Sequence, residues 1–116
     1  MDDFKELPIF RQAYVLCLAV FRATDAPYEA KERPLFDDLR RAALRIGAVI
    51  AKGHALREDR PFHRALATAL GMSVQVDVLL TVAAEFEYVT GRALTELRPQ
   101  VNALINELTI LVRNRA

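Results

Sequence analysis

Two histidines and the acids between them are the first side chains in this 116-residue sequence that could do chemistry. His54 and His63 bracket a segment that holds Glu58 and Asp59, and such a set could in principle bind a metal ion. Structural zinc sites pair their ligands at short, characteristic spacings, and no two histidines lie one helical turn apart here. A di-iron bundle needs a Glu three residues before a His, which neither histidine has. We therefore expect no metal ion and no cofactor.

Nucleophilic catalysis has equally little support in the sequence. Cys17 is the single cysteine and lies in an apolar stripe at helical spacing, so we interpret it as a core residue and expect no disulfide. The few Ser and Thr residues have no His beside them in a motif, and the four isolated glycines form no phosphate-binding loop. The sequence thus predicts a protein that is not an enzyme. An unpaired cysteine also suits the reducing cytoplasm.

Basic side chains concentrate in one part of the chain. The 16 bases and 15 acids give a net charge of +1, far from the excess of a strong nucleic-acid binder. Residues 35–64, however, hold seven bases against four acids. The candidate nucleic-acid-binding residues in this segment are Arg40, Arg41, Arg45, Lys52, Arg57 and Arg64.

The alternative for these bases is that they form ion pairs with Asp37, Asp38 or acids of neighbouring helices. We expect such a structural role for Arg41, on the interpretation that it shares a helix face with interior apolar residues. A binding role, if there is one, is expected for Lys52 and Arg57 beside the following loop.

Prolines and glycines divide the chain into four helical blocks. Pro8 and Pro34 suit the first turns of two helices, the first over about 7–24 and the second ending at Gly53 as a left-handed cap. A third helix begins at Asp59, whose carboxylate would accept the capping hydrogen bonds, and runs to about residue 86. A fourth begins at residue 90 or 91, and Pro99 should kink it or mark its true start.

Four amphipathic helices with short connections pack most simply as an antiparallel up-down-up-down bundle, here all-α and a single domain over residues 1–116. Apolar residues three and four apart predict the core, with Ile46 and Leu104 at the centres of their stripes. Gly47 and Gly71, both in mid-helix, predict close helix approach.

The third helix is apolar on more sides than one core requires, since it carries Val74, Val76, Val78, Leu80 and Val82. One interpretation is a central helix with small exposed apolar residues. The interpretation that we prefer is a second buried face at a subunit contact, which predicts a homo-oligomer.

No export signal or membrane span is expected. The acidic opening, Met1 to Phe4, does not resemble a secretory signal. The most apolar stretch, Val74–Ala84, includes Asp77 and is shorter than the roughly 20 residues that span a bilayer. No membrane partner and no small-molecule substrate is therefore predicted.

Two segments resemble a bacterial family of four-helix-bundle proteins. The first is Leu39–Ile46, LRRAALRI, continued by Ile50–Gly53, IAKG; the second is Phe62–Leu66, FHRAL, continued by Ala69–Gly71, ALG. The family is that of the ribosomal RNA intervening-sequence protein and the accessory variability protein of diversity-generating retroelements. The resemblance covers nearly the whole chain.

This resemblance implies bundles that assemble into rings, with pentamers among the relatives, and in the retroelement members a basic ring that works with a reverse transcriptase and RNA. The first hypothesis is accordingly a noncatalytic, ring-forming scaffold or adaptor, with other copies of the chain as its partners. The alternative is an accessory protein that binds RNA, DNA or a nucleic-acid enzyme through the basic segment.

Overall fold

The computed structural model describes residues 3–114, which form four long helices and one short turn of 3-10 helix. The 3-10 turn, η1, covers Phe4–Glu6, and the helices are α1 (Pro8–Ala23), α2 (Arg33–Ala55), α3 (Asp59–Glu85) and α4 (Gly91–Asn114). Met1 and Asp2, which open the acidic N-terminus, lie outside the described residues.

Consecutive helices run antiparallel, and each packs against its two neighbours around the bundle, α1 closing the circle against α4. The molecule measures 44 × 23 × 21 Å. The all-α, up-down-up-down four-helix bundle predicted from the sequence is confirmed. The predicted stripes form its core, and Leu39, Ile46, Leu97 and Leu104 are all completely or almost completely buried.

The end of α2 differs from the prediction. The helix continues past Gly53 to Ala55, so Gly53 is not a left-handed cap. Instead, a Cβ added at Gly53 would overlap the Cβ of Ala65 on α3, which shows that the missing side chain permits close contact between the two helices. The left-handed backbone lies farther along, at Arg57 with φ 57°.

Two other predicted signals act differently in the structure. Glu58 is the N-cap residue of α3 and its side chain makes no capping bond, so the expected cap at Asp59 is wrong. Because α4 begins at Gly91 and passes through Pro99, this proline does not mark the start of the helix.

The two mid-helix glycines also differ from each other. A Cβ at Gly47 would lie 3.2 Å from the Phe10 ring, which confirms that α1 approaches α2 closely at this glycine. The group that comes close is the side chain of Phe10 on α1. At Gly71 a Cβ would meet nothing within 4 Å, so the prediction of close approach is wrong for that residue.

Among the described residues, α3 alone has the length and composition to cross a membrane, with a mean hydropathy of 1.6 over 18 residues, of which 33% are buried. The apolar length expected from the sequence was too short, because it began at Val74 and left out apolar residues before it such as Leu66 and Leu70. In the bundle, α3 packs against α2 and α4.

Candidate functional site

The six basic candidates do not form one surface, and Arg40 differs most from the others. It is half-buried, and its guanidinium carbon lies 4.5 Å from the centroid of the Phe21 ring on α1. Its Nε is buried and has no hydrogen-bond partner among the described residues. Arg40 therefore packs between α1 and α2, where a cation above an aromatic face is favourable.

Arg41 is exposed, so the expectation that it shares a face with interior residues is wrong, and Arg40 occupies that position instead. Nη1 of Arg41 donates to Oδ1 of Asp38 at 2.9 Å, one turn earlier on α2. The ion-pair interpretation thus describes Arg41. Because both side chains are more than half exposed, the pair contributes at most about 1 kcal/mol.

Arg45 and Lys52 lie on the solvent side of α2 and make no ion pair within residues 3–114. They are seven residues apart, which places them two turns and roughly 10 Å from each other along one side of the helix. These two cations are available to an anion.

The loop after α2 brings further bases to one end of the bundle. Arg57 is exposed in the loop, and Arg64 is exposed near the start of α3. Two bases outside the six candidates lie at the same end: Arg60, on the first turn of α3, and Arg113, on the last turn of α4. The antiparallel topology could have indicated Arg113, because it places the end of α4 beside the start of α3.

Neither histidine is part of a metal site in the described chain. Nε2 of His63 lies 2.9 Å from the carbonyl oxygen of Val112, and the rings of His54 and Phe62 are 5.9 Å apart. Within residues 3–114 no three His, Cys, Asp or Glu residues group as ligands. Burial raises the pKa of the Cys17 thiol, which disfavours the reactive thiolate.

An apolar surface runs along the outside of α3. Val76 and Leu80 are buried, but Val74, Val78 and Val82 are 45%, 58% and 39% exposed. These three valines are four residues apart and so form one ridge. We call them the α3 ridge.

A second apolar surface lies between α1 and α2. It is a groove of about 400 Å³ lined almost wholly by apolar side chains. We call it the α1/α2 groove; its lining includes Phe10, Tyr14, Cys17, Phe21, Leu44 and Ala48. Tyr14 and Leu44 are 51% and 57% exposed, so two large side chains on its rim face solvent.

The chain matches the model of the 23S rRNA-intervening sequence protein family over residues 5–109. It belongs to this family. A search of curated proteins finds no match.

The match to the 23S rRNA-intervening sequence protein family begins in η1 and ends in α4, so it includes parts of all four helices. The two segments that carried the sequence resemblance meet in the fold, because Gly53 of the first lies against Ala65 of the second. These residues therefore maintain helix packing, and their presence indicates the family's fold.

Proposed function

We propose that the protein is a noncatalytic scaffold that assembles into a ring, as a pentamer, in the cytoplasm and presents its outer surfaces to a macromolecular partner. The observation that carries this proposal is the α3 ridge. A helix on the surface of a monomer normally presents polar residues to solvent, whereas α3 presents three valines in a row. Removing such surface from water is favourable by about 25 cal/mol per Å².

The membership of the 23S rRNA-intervening sequence protein family supports a noncatalytic role. The described residues also offer little to a catalyst, since the one cysteine is buried and His63 is engaged with a backbone carbonyl. A scaffold acts through surfaces that bind other proteins, and the α3 ridge and the α1/α2 groove are two exposed apolar surfaces of this kind.

Sedimentation velocity between about 1 and 100 μM tests self-assembly. We expect one oligomeric species whose population rises with concentration and whose formation tolerates salt, because the contact is apolar. A single species at the 13.1 kDa of one chain throughout this range would refute the scaffold proposal.

A second candidate function is that of an RNA-binding accessory protein, favoured by Arg45 and Lys52, which have no ion-pair partner within the described part of the chain. Together with Arg57 at the end of α2 they would offer a modest positive surface on each copy. A ring would repeat this surface, and the potentials of the copies would add. The family name refers to a sequence that interrupts 23S rRNA, which makes RNA the first nucleic acid to examine.

For RNA binding, we expect a variant with Arg45→Ala, Lys52→Ala and Arg57→Gly to bind a short RNA duplex more weakly than the parent. Each lost phosphate contact should reduce the slope of log affinity against log salt by about 1. Glycine is chosen at residue 57 because it adopts a positive φ without strain. Fluorescence anisotropy between about 50 and 200 mM salt measures both quantities.

Arg41→Ala is the matched control, since it removes a base of the same helix that is already paired with Asp38. Its affinity should stay close to that of the parent. If the parent binds no RNA at 50 mM salt, or if the triple variant and the control lose affinity equally, the second candidate function is wrong.

A further inference from the structure

We propose that a pocket between α1 and α4 binds a free α-amino acid with a small apolar side chain. The pocket lies where the end of α1 meets the start of α4, and we call it the α1/α4 pocket. It shares no lining residue with the α3 ridge or the α1/α2 groove, so the inference does not depend on self-assembly.

Small side chains on both helices create the α1/α4 pocket. Ala19 and Ala23 of α1 and Ala93 of α4 all line it. Because these side chains are short, the two helices leave a space of about 270 Å³ between them. Pockets for drug-sized molecules have volumes of about 300–1,000 Å³, so this pocket suits a smaller molecule.

The charged side chains that line the α1/α4 pocket have both signs. Arg22 lies near the end of α1 and Arg92 at the start of α4, and Glu96 follows Arg92 by one turn. None of the three forms an ion pair among residues 3–114, although the spacing of Arg92 and Glu96 allows one. Asp25 follows α1 at this end and does not line the pocket. Two cations and one carboxylate therefore match a ligand that carries both a negative and a positive charge.

Gln100 adds a polar atom that has no partner in the described chain. This residue lies one turn after Glu96 and lines the same pocket. Its Oε1 atom is buried and accepts no hydrogen bond from the described residues. Buried amide oxygens are normally hydrogen-bonded, and an ammonium group has three N–H donors. An ammonium group between Glu96 and Gln100 would supply the missing hydrogen bond.

The order of these groups along α4 agrees with the structure of an α-amino acid. Arg92, Glu96 and Gln100 follow one another at intervals of one turn, with neighbouring Cβ atoms about 5–6 Å apart. Guanidinium groups bind carboxylates strongly, so Arg22 and Arg92 would hold the carboxylate of the ligand. The ammonium group, attached to the same carbon as the carboxylate, would then lie beside Glu96. The side chain of the ligand would contact the apolar part of the lining, which includes Leu97.

Isothermal titration calorimetry with three probes of similar shape tests the inference. L-Leucine carries both charges, 4-methylpentanoate lacks the ammonium group, and 3-methylbutylamine lacks the carboxylate. We expect the parent to bind L-leucine about tenfold more tightly than either other probe, because each loses hydrogen bonds to a charged group. Equal affinity for L-leucine and 4-methylpentanoate, or no heat of binding with L-leucine at about 10 mM, would overturn the proposal.

Two variants that preserve side-chain shape assign the charges of the ligand to residues. Glu96→Gln should weaken the binding of L-leucine about tenfold and remove its advantage over 4-methylpentanoate. Arg92→Gln should weaken the binding of L-leucine and of 4-methylpentanoate by a similar factor. Both residues are exposed, so each variant should fold, which circular dichroism verifies.

Arg113→Gln is the matched control, because Arg113 is an exposed base of the same helix that does not line the pocket. This variant should bind L-leucine as the parent does. If Arg113→Gln loses as much affinity as Arg92→Gln, or if Glu96→Gln keeps the full preference for L-leucine, the α1/α4 pocket is not an amino-acid site.

Discussion

Replacement of Ile46 or Leu104 with Ala is expected to lower the free energy of unfolding by about 2–5 kcal/mol. Both side chains have no exposed surface and lie near the middle of α2 and α4, respectively. Truncation removes apolar atoms from the core and leaves a cavity that the neighbouring helices fill only in part. Urea unfolding followed by circular dichroism measures the change.

Leu56→Ala is the control for these two variants, because Leu56 is 60% exposed after α2. Its effect should lie within about 0.5 kcal/mol. All variants are compared at one protein concentration, since assembly adds to the measured stability. Parent-like midpoints for both core variants would show that these residues are not in the core.

Two identical substitutions, Gly53→Ala and Gly71→Ala, are expected to change stability in opposite directions. At Gly53 the new methyl group would overlap the Cβ of Ala65, which belongs to another helix and cannot rotate away. Separating α2 from α3 should cost about 1–3 kcal/mol. At Gly71 the methyl group meets nothing, so the better helix propensity of Ala should stabilise α3 by about 0.5–1 kcal/mol.

Both glycine variants are made in a Val78→Asp background, which places a charge on the α3 ridge and so disfavours assembly. This background is needed because Gly71 lies one turn before the ridge, and the measured unfolding should not be coupled to assembly. Gly53→Ala and Gly71→Ala are controls for each other, because both replace a helical glycine and so share the same gain in helix propensity. Equal shifts of the urea midpoint would contradict the close packing of α2 against α3 at Gly53.

The bundle could be predicted from the sequence because apolar spacing and helix breakers both act locally. Pro8 and the apolar residues after it indicated α1 to within one residue at each end. Gly53 was misinterpreted because a glycine near a helix end has two common uses, a left-handed cap and close packing. Only the position of Ala65 on another helix distinguishes them.

The candidate basic surface was harder to predict than the fold. Adjacent residues of a helix point about 100° apart, so Arg40 and Arg41 have different surroundings although they are neighbours in sequence. Arg40 packs on Phe21, and Arg41 pairs with Asp38. Arg113 lay too far along the chain for a count of charges in one segment to include it. The α1/α2 groove could not be predicted, because it depends on how α1 packs against α2. The apolar periodicity within one helix carries no information about that packing.

The excess of apolar residues on α3 was visible in the sequence, and the structure locates it at Val74, Val78 and Val82. The measurement that tests self-assembly most directly is the molar mass of the parent protein by light scattering during size-exclusion chromatography. For a pentamer we expect a peak at five times 13.1 kDa, about 66 kDa, at micromolar concentration. A peak at 13.1 kDa, unchanged at the highest concentration reached, would contradict it.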